Sequence, residues 1–470
     1  MSSTRPDNAA ENTGFFSTER SRTKAAVIVP VISGQSGQGT APGHRENPRT
    51  GEARLEEAVG LASAISDLDV VFAKHFSLRK YHPATLIGQG VVDELKDQIE
   101  QQEIGLLIVD HALTPVQQRN LEKALQTKVL DRTGIILEIF GERAQTREGT
   151  LQVELAHLNY QKGRLVRSWT HLERQRGGGG FLGGPGETQI ESDRRMLQQR
   201  IKYLESALAD VRKTRDLHRQ NRKRKPHPIV ALVGYTNAGK STLFNRITQA
   251  DVRAEDLLFA TLDPTLRTVD LPHGDTVILS DTVGFVSDLP HDLVAAFRAT
   301  LEEVVDADLI VHVRDIAHED TEAQAQDVRD ILLQLKANPD DASRVIEVWN
   351  KIDLLPPDDP RREIDAAALA GGQGFPVSAA TGQGIEDLIV HIEQKIAEKR
   401  TVFSVHLPVE QLGQLYWLYE HAEVLKRIEN ETDGSVRLEV RVDPKNGSEF
   451  RNRFGAFIAP EKEEIASSAA

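Results

Sequence analysis

One segment, residues 229 to 242, restricts the fold of this chain more than any other. The apolar run 229–233 is typical of a buried strand, and the loop Gly234-Tyr235-Thr236-Asn237-Ala238-Gly239-Lys240-Ser241 follows it, with a helix predicted to begin near Thr242. In a G-x-x-x-x-G-K-S loop placed this way, backbone N–H groups point at the oxygens of a triphosphate. Lys240 would add charge near the outer phosphates, and the Ser241 hydroxyl could bind magnesium. The flanking strand and helix disfavour the alternative, a chance match in a glycine-bearing turn.

A second motif predicts which base the nucleotide carries. The segment Asn350-Lys351-Ile352-Asp353 follows the apolar run 345–349, so Asp353 is expected at the carboxyl end of a strand. Its carboxylate could accept both N–H donors on the Watson–Crick edge of guanine, whereas adenine presents the wrong pattern. Backbone groups of Ser378-Ala379-Ala380 could support the guanine carbonyl. The predicted ligands are therefore GTP and GDP.

A third motif, Asp281-Thr282-Val283-Gly284, follows the apolar run 277–279. Asp281 is expected to organise magnesium through water, and the Gly284 amide to approach the γ-phosphate. The alternative is an ordinary aspartate in a turn at the end of a strand. The next residue is Phe285, whose apolar side chain cannot orient an attacking water as a glutamine would, so hydrolysis needs another helper.

Two assignments near the phosphates stay open on the sequence. In Phe259-Ala260-Thr261, Thr261 is the preferred threonine to cap magnesium and γ-phosphate, and Thr265 and Thr268 are its competitors. The Asn237 side chain either helps to hold a monovalent cation such as K⁺ or only stabilises the loop. The predicted roles in turnover and Mg²⁺ binding fall on Asn237, Lys240, Ser241, Thr261, Asp281 and Gly284.

Composition and periodicity divide the chain into six predicted regions. Short apolar runs alternate with helical patterns around the three nucleotide motifs and near the amino terminus, which predicts two α/β regions. Polar residues from about 33 to 53 predict a loose loop. The regions are a disordered tail (1–23), a small α/β domain (24–145), a long helical hairpin with a glycine-rich turn (146–225), a mostly parallel, doubly wound nucleotide domain (226–399), a small α+β domain (400–460) and an acidic tail (461–470).

Leucine spacing predicts the hairpin and part of the last domain. One stripe comprises Leu151, Leu155, Leu158 and Leu165, and a second helix is predicted from about Ile190 to Arg222 with Leu197, Ile201, Leu204, Leu208 and Val211 on one face. Seven glycines between 177 and 186 would separate the two helices. In the last domain, a helix is predicted through Leu412, Leu415, Leu418 and Leu425, and a strand over residues 436–442.

Charge is distributed unevenly along the chain. The net charge is −14, yet residues 162–225 hold 17 Lys and Arg against 7 Asp and Glu. This stretch could contact phosphates, although most charged helix faces are simply solvated. The absence of cysteine excludes disulfides and thiolate metal sites, and no apolar run of membrane-spanning length is present. We expect a cytoplasmic monomer without a membrane or DNA partner.

The motifs together resemble the HflX family of ribosome-associated GTPases, within the translation-factor-related class. The resemblance is carried by GYTNAGKS from Gly234, FATLDPT from Phe259, DTVGF from Asp281, NKID from Asn350 and SAATG from Ser378. Outside that domain it includes GERA from Gly141, GTLQVELA from Gly149 and GGGGFLGGPGETQIE from Gly177. It covers about residues 25 to 400 and is weaker beyond.

The resemblance implies a magnesium-dependent GTPase that contacts the large ribosomal subunit and its RNA through the amino-terminal domain and the hairpin. It also implies that the GTP-bound form dissociates or rescues ribosomes under stress, and that Asn237 supports potassium-assisted hydrolysis. Two other functions stay open: a GTPase that assists RNA modification, and a regulatory module that senses GTP against GDP with little turnover.

Overall fold

The structure is a computed structural model whose described residues form two compact units. It describes residues 22–32, 49–175, 185–222, 227–249, 259, 265–287, 298–363, 374–398, 401–430, 433–442 and 446–458. The first unit contains residues 22–32 and 51–135, and the second contains residues 49–50 and the described residues from 136 onward.

A four-stranded parallel sheet in the order β2-β1-β3-β4 forms the first unit. Its strands are β1 (Thr23–Ile32), β2 (Leu68–Leu78), β3 (Leu106–Val109) and β4 (Lys128–Asp131), and its helices are α1 (Gly51–Ser63), α2 (Gln89–Gln102) and α3 (Pro115–Leu125). Ile28, Leu95 and Leu107 pack in its core. Thr114 and Gln117 form a capping box that starts α3. Helix α4 (Arg132–Arg143) crosses from the first unit into the second.

Two long helices, α5 (Arg147–Gln175) and α6 (Pro185–Arg222), open the second unit. The second begins at Pro185, earlier than the predicted Ile190, because proline suits the first turn of a helix. The leucine stripe predicted for α5 is wrong in detail: Val153 and Ala156 are buried, whereas Leu151, Leu155 and Leu158 are only half-buried. In α6, Ile201, Leu204 and Leu208 are buried as predicted. Most of the glycine-rich turn, residues 176–184, and the side chain of Leu165 lie outside the described part.

The predicted nucleotide domain contains a six-stranded sheet in the order β10-β9-β8-β5-β7-β6. The strands are β5 (Ile229–Gly234), β6 (Thr265–Asp270), β7 (Thr276–Asp281), β8 (Leu309–Asp315), β9 (Val345–Asn350) and β10 (Phe375–Pro376). Only β6 runs antiparallel, so the predicted mostly parallel sheet is confirmed. The described helices around it are α7 (Lys240–Thr248), α8 (Arg298–Asp306), α9 (Thr321–Gln334) and α10 (Ile385–Glu398), with 3₁₀ turns at Ile352–Leu354 and Pro360–Arg362.

A three-stranded antiparallel sheet, ordered β11-β13-β12, ends the described chain. Its elements are β11 (Thr401–Leu407), a 3₁₀ segment (Val409–Gln414), α11 (Leu415–His421), β12 (Glu423–Glu429), β13 (Val436–Val442), α12 (Gly447–Phe454) and a 3₁₀ turn (Gly455–Phe457). Trp417, Phe450 and Phe454 fill the core. The helix predicted through Leu425 is wrong: α11 ends at His421, and Leu425 lies in β12 with 41% of its surface exposed.

The prediction of a loose loop over residues 33–53 is wrong at its carboxyl-terminal end. Arg49 is buried, and α1 begins at Gly51. Residues 33–48 lie outside the described part. None of the described helices is both long and apolar enough to span a membrane.

Candidate nucleotide-binding site

The predicted motifs meet at one edge of the six-stranded sheet. Because β5, β7, β8 and β9 are parallel, their carboxyl ends lie side by side, and each is followed by a polar segment. These segments contain the loop Gly234–Ser241, the segment 281–284, Asp315, the segment 350–353 and, after β10, the segment 378–380. Parallel-sheet topology therefore assembles residues that are more than 140 positions apart in the chain.

Two glycines in the 234–241 loop are required by close backbone contacts. A Cβ at Gly239, whose φ is +89°, would lie 2.2 Å from Nδ2 of Asn350. A Cβ at Gly234 would lie 2.2 Å from the carbonyl oxygen of Val313. Asn237 has a left-handed φ of 59° and an exposed side chain. The loop thus forms a backbone cradle packed tightly against β8 and Asn350, with which larger residues at Gly234 or Gly239 would clash.

The Lys240 ammonium is buried inside this cradle. Nζ donates a hydrogen bond to the Tyr235 carbonyl oxygen at 2.8 Å, and only 6% of the residue is exposed. Burial lowers the pKa of Lys240 from 10.5 to about 8, although the nearby Asp281 carboxylate opposes the shift. A phosphate beside Nζ would restore the stabilisation that the ammonium loses by burial.

Nucleotide binding should therefore become weaker as the pH rises through about 8. In the free protein Lys240 loses its proton near that pH, whereas a bound phosphate keeps it charged, so binding takes up a proton between the free and bound pKa values. We expect GDP affinity about tenfold lower near pH 9 than near pH 7. Calorimetry in buffers of different ionisation enthalpy measures the proton uptake. Lys240→Arg, which stays charged, serves as the control; an equal pH dependence in this variant would assign the effect to another group.

An oxygen pair suited to magnesium lies beside Lys240. Ser241 Oγ donates to Asp281 Oδ2 at 2.7 Å. A hydroxyl and a carboxylate are the hard oxygen donors that Mg²⁺ prefers when it also binds phosphates, so these residues fit the ion. The neighbouring Thr282 hydroxyl instead donates to the Leu232 carbonyl at 2.6 Å, which fixes the segment to β5.

Gly284 lies directly against the phosphate-binding loop. A Cβ on it would lie 2.9 Å from Thr236 Cα and 3.0 Å from Lys240 Nζ. The next residue, Phe285, exchanges two backbone hydrogen bonds with the loop, accepting from Thr236 N at 2.7 Å and donating to the Gly234 carbonyl at 3.1 Å. The Phe285 side chain is 2% exposed. Because its backbone is bonded to the loop, the segment 281–285 would respond to changes at the phosphates.

Asn350 joins the phosphate loop to the segment 378–380. Its Nδ2 donates to the Ala238 carbonyl at 2.8 Å, and its Oδ1 accepts from Ala379 N at 2.9 Å. The Lys351 ammonium pairs with Asp315 at 2.8 Å. Asp353 lies in the 3₁₀ turn after β9, and its Oδ1 is buried without a hydrogen-bond partner among the described residues. An unpaired buried acceptor is costly, and the N–H donors of guanine would satisfy it.

Sequence reasoning missed several residues that support the base region. From α7, Arg246 donates to the carbonyls of Ala379, at 3.2 Å, and Ala380. Trp349, next to Asn350, donates from Nε1 to Glu347 at 2.7 Å, and a Cβ at Gly374 would lie 2.2 Å from that nitrogen. No motif marks these residues, since their contacts depend on tertiary packing.

Of the predicted segment Phe259-Ala260-Thr261, the structure describes only Phe259. Phe259 has a positive φ of 58°, is buried, and its ring meets that of Phe140 edge-on at 4.7 Å. Ala260 and Thr261 lie outside the described residues, so their predicted contacts are not tested. The competitors Thr265 and Thr268 both lie in β6, where Thr265 is in register with Asp281.

A glycine-rich loop between a buried strand and a helix, an aspartate with a buried Oδ1 after β9 and a mostly parallel sheet define a P-loop GTPase. Four family models match most of the chain between residues 52 and 465. "GTP-binding GTPase N-terminal" matches 52–141, "GTP-binding GTPase Middle Region" 143–222, "50S ribosome-binding GTPase" 229–351 and "HflX C-terminal domain" 365–465. The chain is 52% identical to GTPase HflX of Magnetococcus marinus, over 82% of this chain and 88% of that one. It is 45% identical to GTPase HflX of Escherichia coli, over 77% and 83%.

The chain therefore belongs to the HflX family and is a GTPase that binds guanine nucleotides. The match to the C-terminal model extends the family likeness beyond residue 400, where the sequence motifs were weakest. Among solved structures, the crystal structure of the SsGBP and GDP complex is similar, with 23% identity and a TM-score of 0.46, covering 79% of this chain and 98% of that chain.

Proposed function

We propose that this protein is a GTP-driven switch that binds the large ribosomal subunit in the cytoplasm and dissociates or rescues ribosomes under stress. The observation that carries the switch is the backbone bonding of Phe285 to the phosphate loop, with Gly284 beside Lys240. Loss of the γ-phosphate at this point would change the position of the segment 281–285. The ribosomal partner is supported by the family model described as a 50S ribosome-binding GTPase.

Within this function, each residue of the site has a proposed role. Lys240 and the backbone of residues 234–242 hold the phosphates, and Asp353 holds the guanine with backbone support from residues 378–380. Ser241 and Asp281, joined by Thr261, hold magnesium, which supplies charge stabilisation to the phosphates when bound. The exposed Asn237 side chain contributes to a K⁺ site.

The proposed RNA contact rests on the basic stretch 162–225. It carries 17 Lys and Arg residues on and around α5 and α6. At about 1.5 Å per residue, the 38 residues of α6 span about 57 Å, long enough to extend beyond a small domain. Such an arm, with the amino-terminal domain, could contact ribosomal RNA while the nucleotide domain binds GTP.

Sedimentation with purified large subunits tests this function. We expect co-sedimentation with a non-hydrolysable GTP analogue, little with GDP, and GTP turnover at least about tenfold higher when large subunits are present. The same turnover assay with Na⁺ in place of K⁺ tests the cation role of Asn237.

Charge reversal tests the contact of α6 with ribosomal RNA. The variants Lys213→Glu and Arg215→Glu should weaken co-sedimentation, whereas the control Glu410→Lys, in the C-terminal domain, should not.

Each other outcome identifies a different function. No co-sedimentation and no stimulation would exclude the ribosomal role. Purification together with an RNA-modifying enzyme would then favour the accessory GTPase. Tight GTP and GDP binding with negligible turnover under all conditions would favour a regulatory sensor.

A further inference from the structure

A buried arginine lies beside the phosphate-binding loop and belongs to none of its motifs. Arg49 clusters with the second unit, and its side chain is only 2% exposed. Its Nη1 donates to the Tyr235 hydroxyl at 2.9 Å, and its Nη2 pairs with Asp327 of α9 at 2.7 Å. The guanidinium carbon lies 5.0 Å from the centre of the Tyr235 ring. Arg49 therefore fixes both the ring and the hydroxyl of Tyr235.

Tyr235 connects this arginine to both functional segments. Its hydroxyl accepts a second hydrogen bond from the Ser287 amide at 2.9 Å, just beyond the 281–285 segment. Its carbonyl accepts from Lys240 Nζ at 2.8 Å. One residue thus contacts the phosphate-binding lysine through its backbone and the segment after Gly284 through its side chain.

The cost of burial argues that this arrangement has a role. A guanidinium removed from water is unfavourable unless its donors are satisfied, and its partner Asp327 is about one-third exposed. An ion pair kept only for stability could lie on the surface at lower cost. Here the Arg49 guanidinium holds the Tyr235 hydroxyl, which in turn accepts from the Ser287 amide. The two hydrogen bonds therefore fix the backbone position of the 284–287 segment.

We propose that Arg49 is a positioning residue for GTP hydrolysis: through the Tyr235 hydroxyl it holds Ser287, and with it Gly284, where the γ-phosphate would be recognised. This inference rests on the proposed role of Gly284 at the γ-phosphate. GDP lacks that phosphate, so its binding depends on the loop and Asp353 but not on this contact. Arg49 acts on the reaction without touching the nucleotide.

The test compares Arg49→Lys and Tyr235→Phe with the unchanged protein. Lysine keeps the charge but loses the planar fork, and phenylalanine keeps the ring but loses the hydroxyl. We expect each variant to lower kcat about tenfold and to weaken a non-hydrolysable GTP analogue about fivefold, with GDP affinity unchanged within about twofold. The double variant should be no worse than either single one, because both remove the same contact.

Arg132→Lys is the matched control. Arg132 is also a buried arginine in an ion pair, but its partners are Glu57 and Asp110 of the first unit and not the phosphate loop. We expect this variant to keep kcat and both affinities within about twofold. Unchanged kcat in Arg49→Lys and Tyr235→Phe would overturn the proposal, as would equal losses of GDP and GTP-analogue binding. GDP and GTP-analogue binding by the unchanged protein separates both outcomes from a failure of the nucleotide site itself.

Discussion

Replacing Lys240 with alanine is expected to reduce GTP turnover by about 10²-fold or more and to weaken binding of GTP and GDP. The Lys240 ammonium is buried in the cradle, where its Nζ donates to the Tyr235 carbonyl oxygen at 2.8 Å. Its loss removes a charge in a water-poor environment, where electrostatic stabilisation is strong. Single-turnover hydrolysis and calorimetry with each nucleotide measure the two effects.

The control for this experiment leaves the site unchanged and replaces a lysine outside it. Lys395→Ala removes an ammonium that pairs with Glu398 on α10, at 3.0 Å, outside the site. Turnover of this control should match that of the unchanged protein. If Lys240→Ala retains full turnover, the loop 234–241 does not bind the phosphates.

Replacing Asp353 with asparagine is expected to lower GTP affinity about 10²-fold and to raise the affinity for xanthosine triphosphate. The buried Oδ1 of Asp353 has no hydrogen-bond partner among the described residues, and guanine can supply donors through its N1–H and its amino group. An asparagine places its own N–H₂ against that amino group, whereas the 2-oxo group of xanthine can accept from it. Competition binding with both triphosphates measures the ratio.

The control for base preference is Asp358→Asn. It changes an aspartate in the same 350–363 stretch but outside the proposed base contact, and it should retain the preference for guanine. The variant Asp353→Asn also tests the ribosomal proposal. In Asp353→Asn, large-subunit binding should require a xanthine analogue in place of a guanine one. An unchanged guanine preference would contradict the assignment of Asp353 as the base-reading residue.

Elements with local signals were predictable from the sequence, and contacts made by tertiary packing were not. The apolar run into Gly234 and the alternation over 436–442 each specify an element through neighbouring residues, and each is present. Leu425 shows the limit: its spacing from Leu418 suits a helix, but it lies in β12, whose residues on either side of it pair with β13. Intrinsic helix preference is weak, so strand pairing overrides it.

The candidate site shows the same division. Glycine-rich and aspartate-bearing motifs name the residues expected at the nucleotide, because that chemistry needs particular residue types in fixed order. Arg49 and Arg246 carry no such signal: one lies in a polar stretch that resembles a loose loop, and the other is an ordinary arginine on α7. Their partners are 186 and 133 residues away, a separation that local patterns do not encode. The domain boundaries and the contacts of Thr261 stay predictions.

The packing of Trp349 against Gly374 places an intrinsic fluorophore beside the proposed base site. The indole is one residue from Asn350 and half-buried, and its carbonyl accepts from Val377 at 2.8 Å, immediately before the 378–380 segment. Of the three tryptophans, Trp417 belongs to the C-terminal core and Trp169 to α5. With those two replaced by phenylalanine, the emission of the remaining indole would follow guanine occupancy in real time, without a dye attached to the nucleotide.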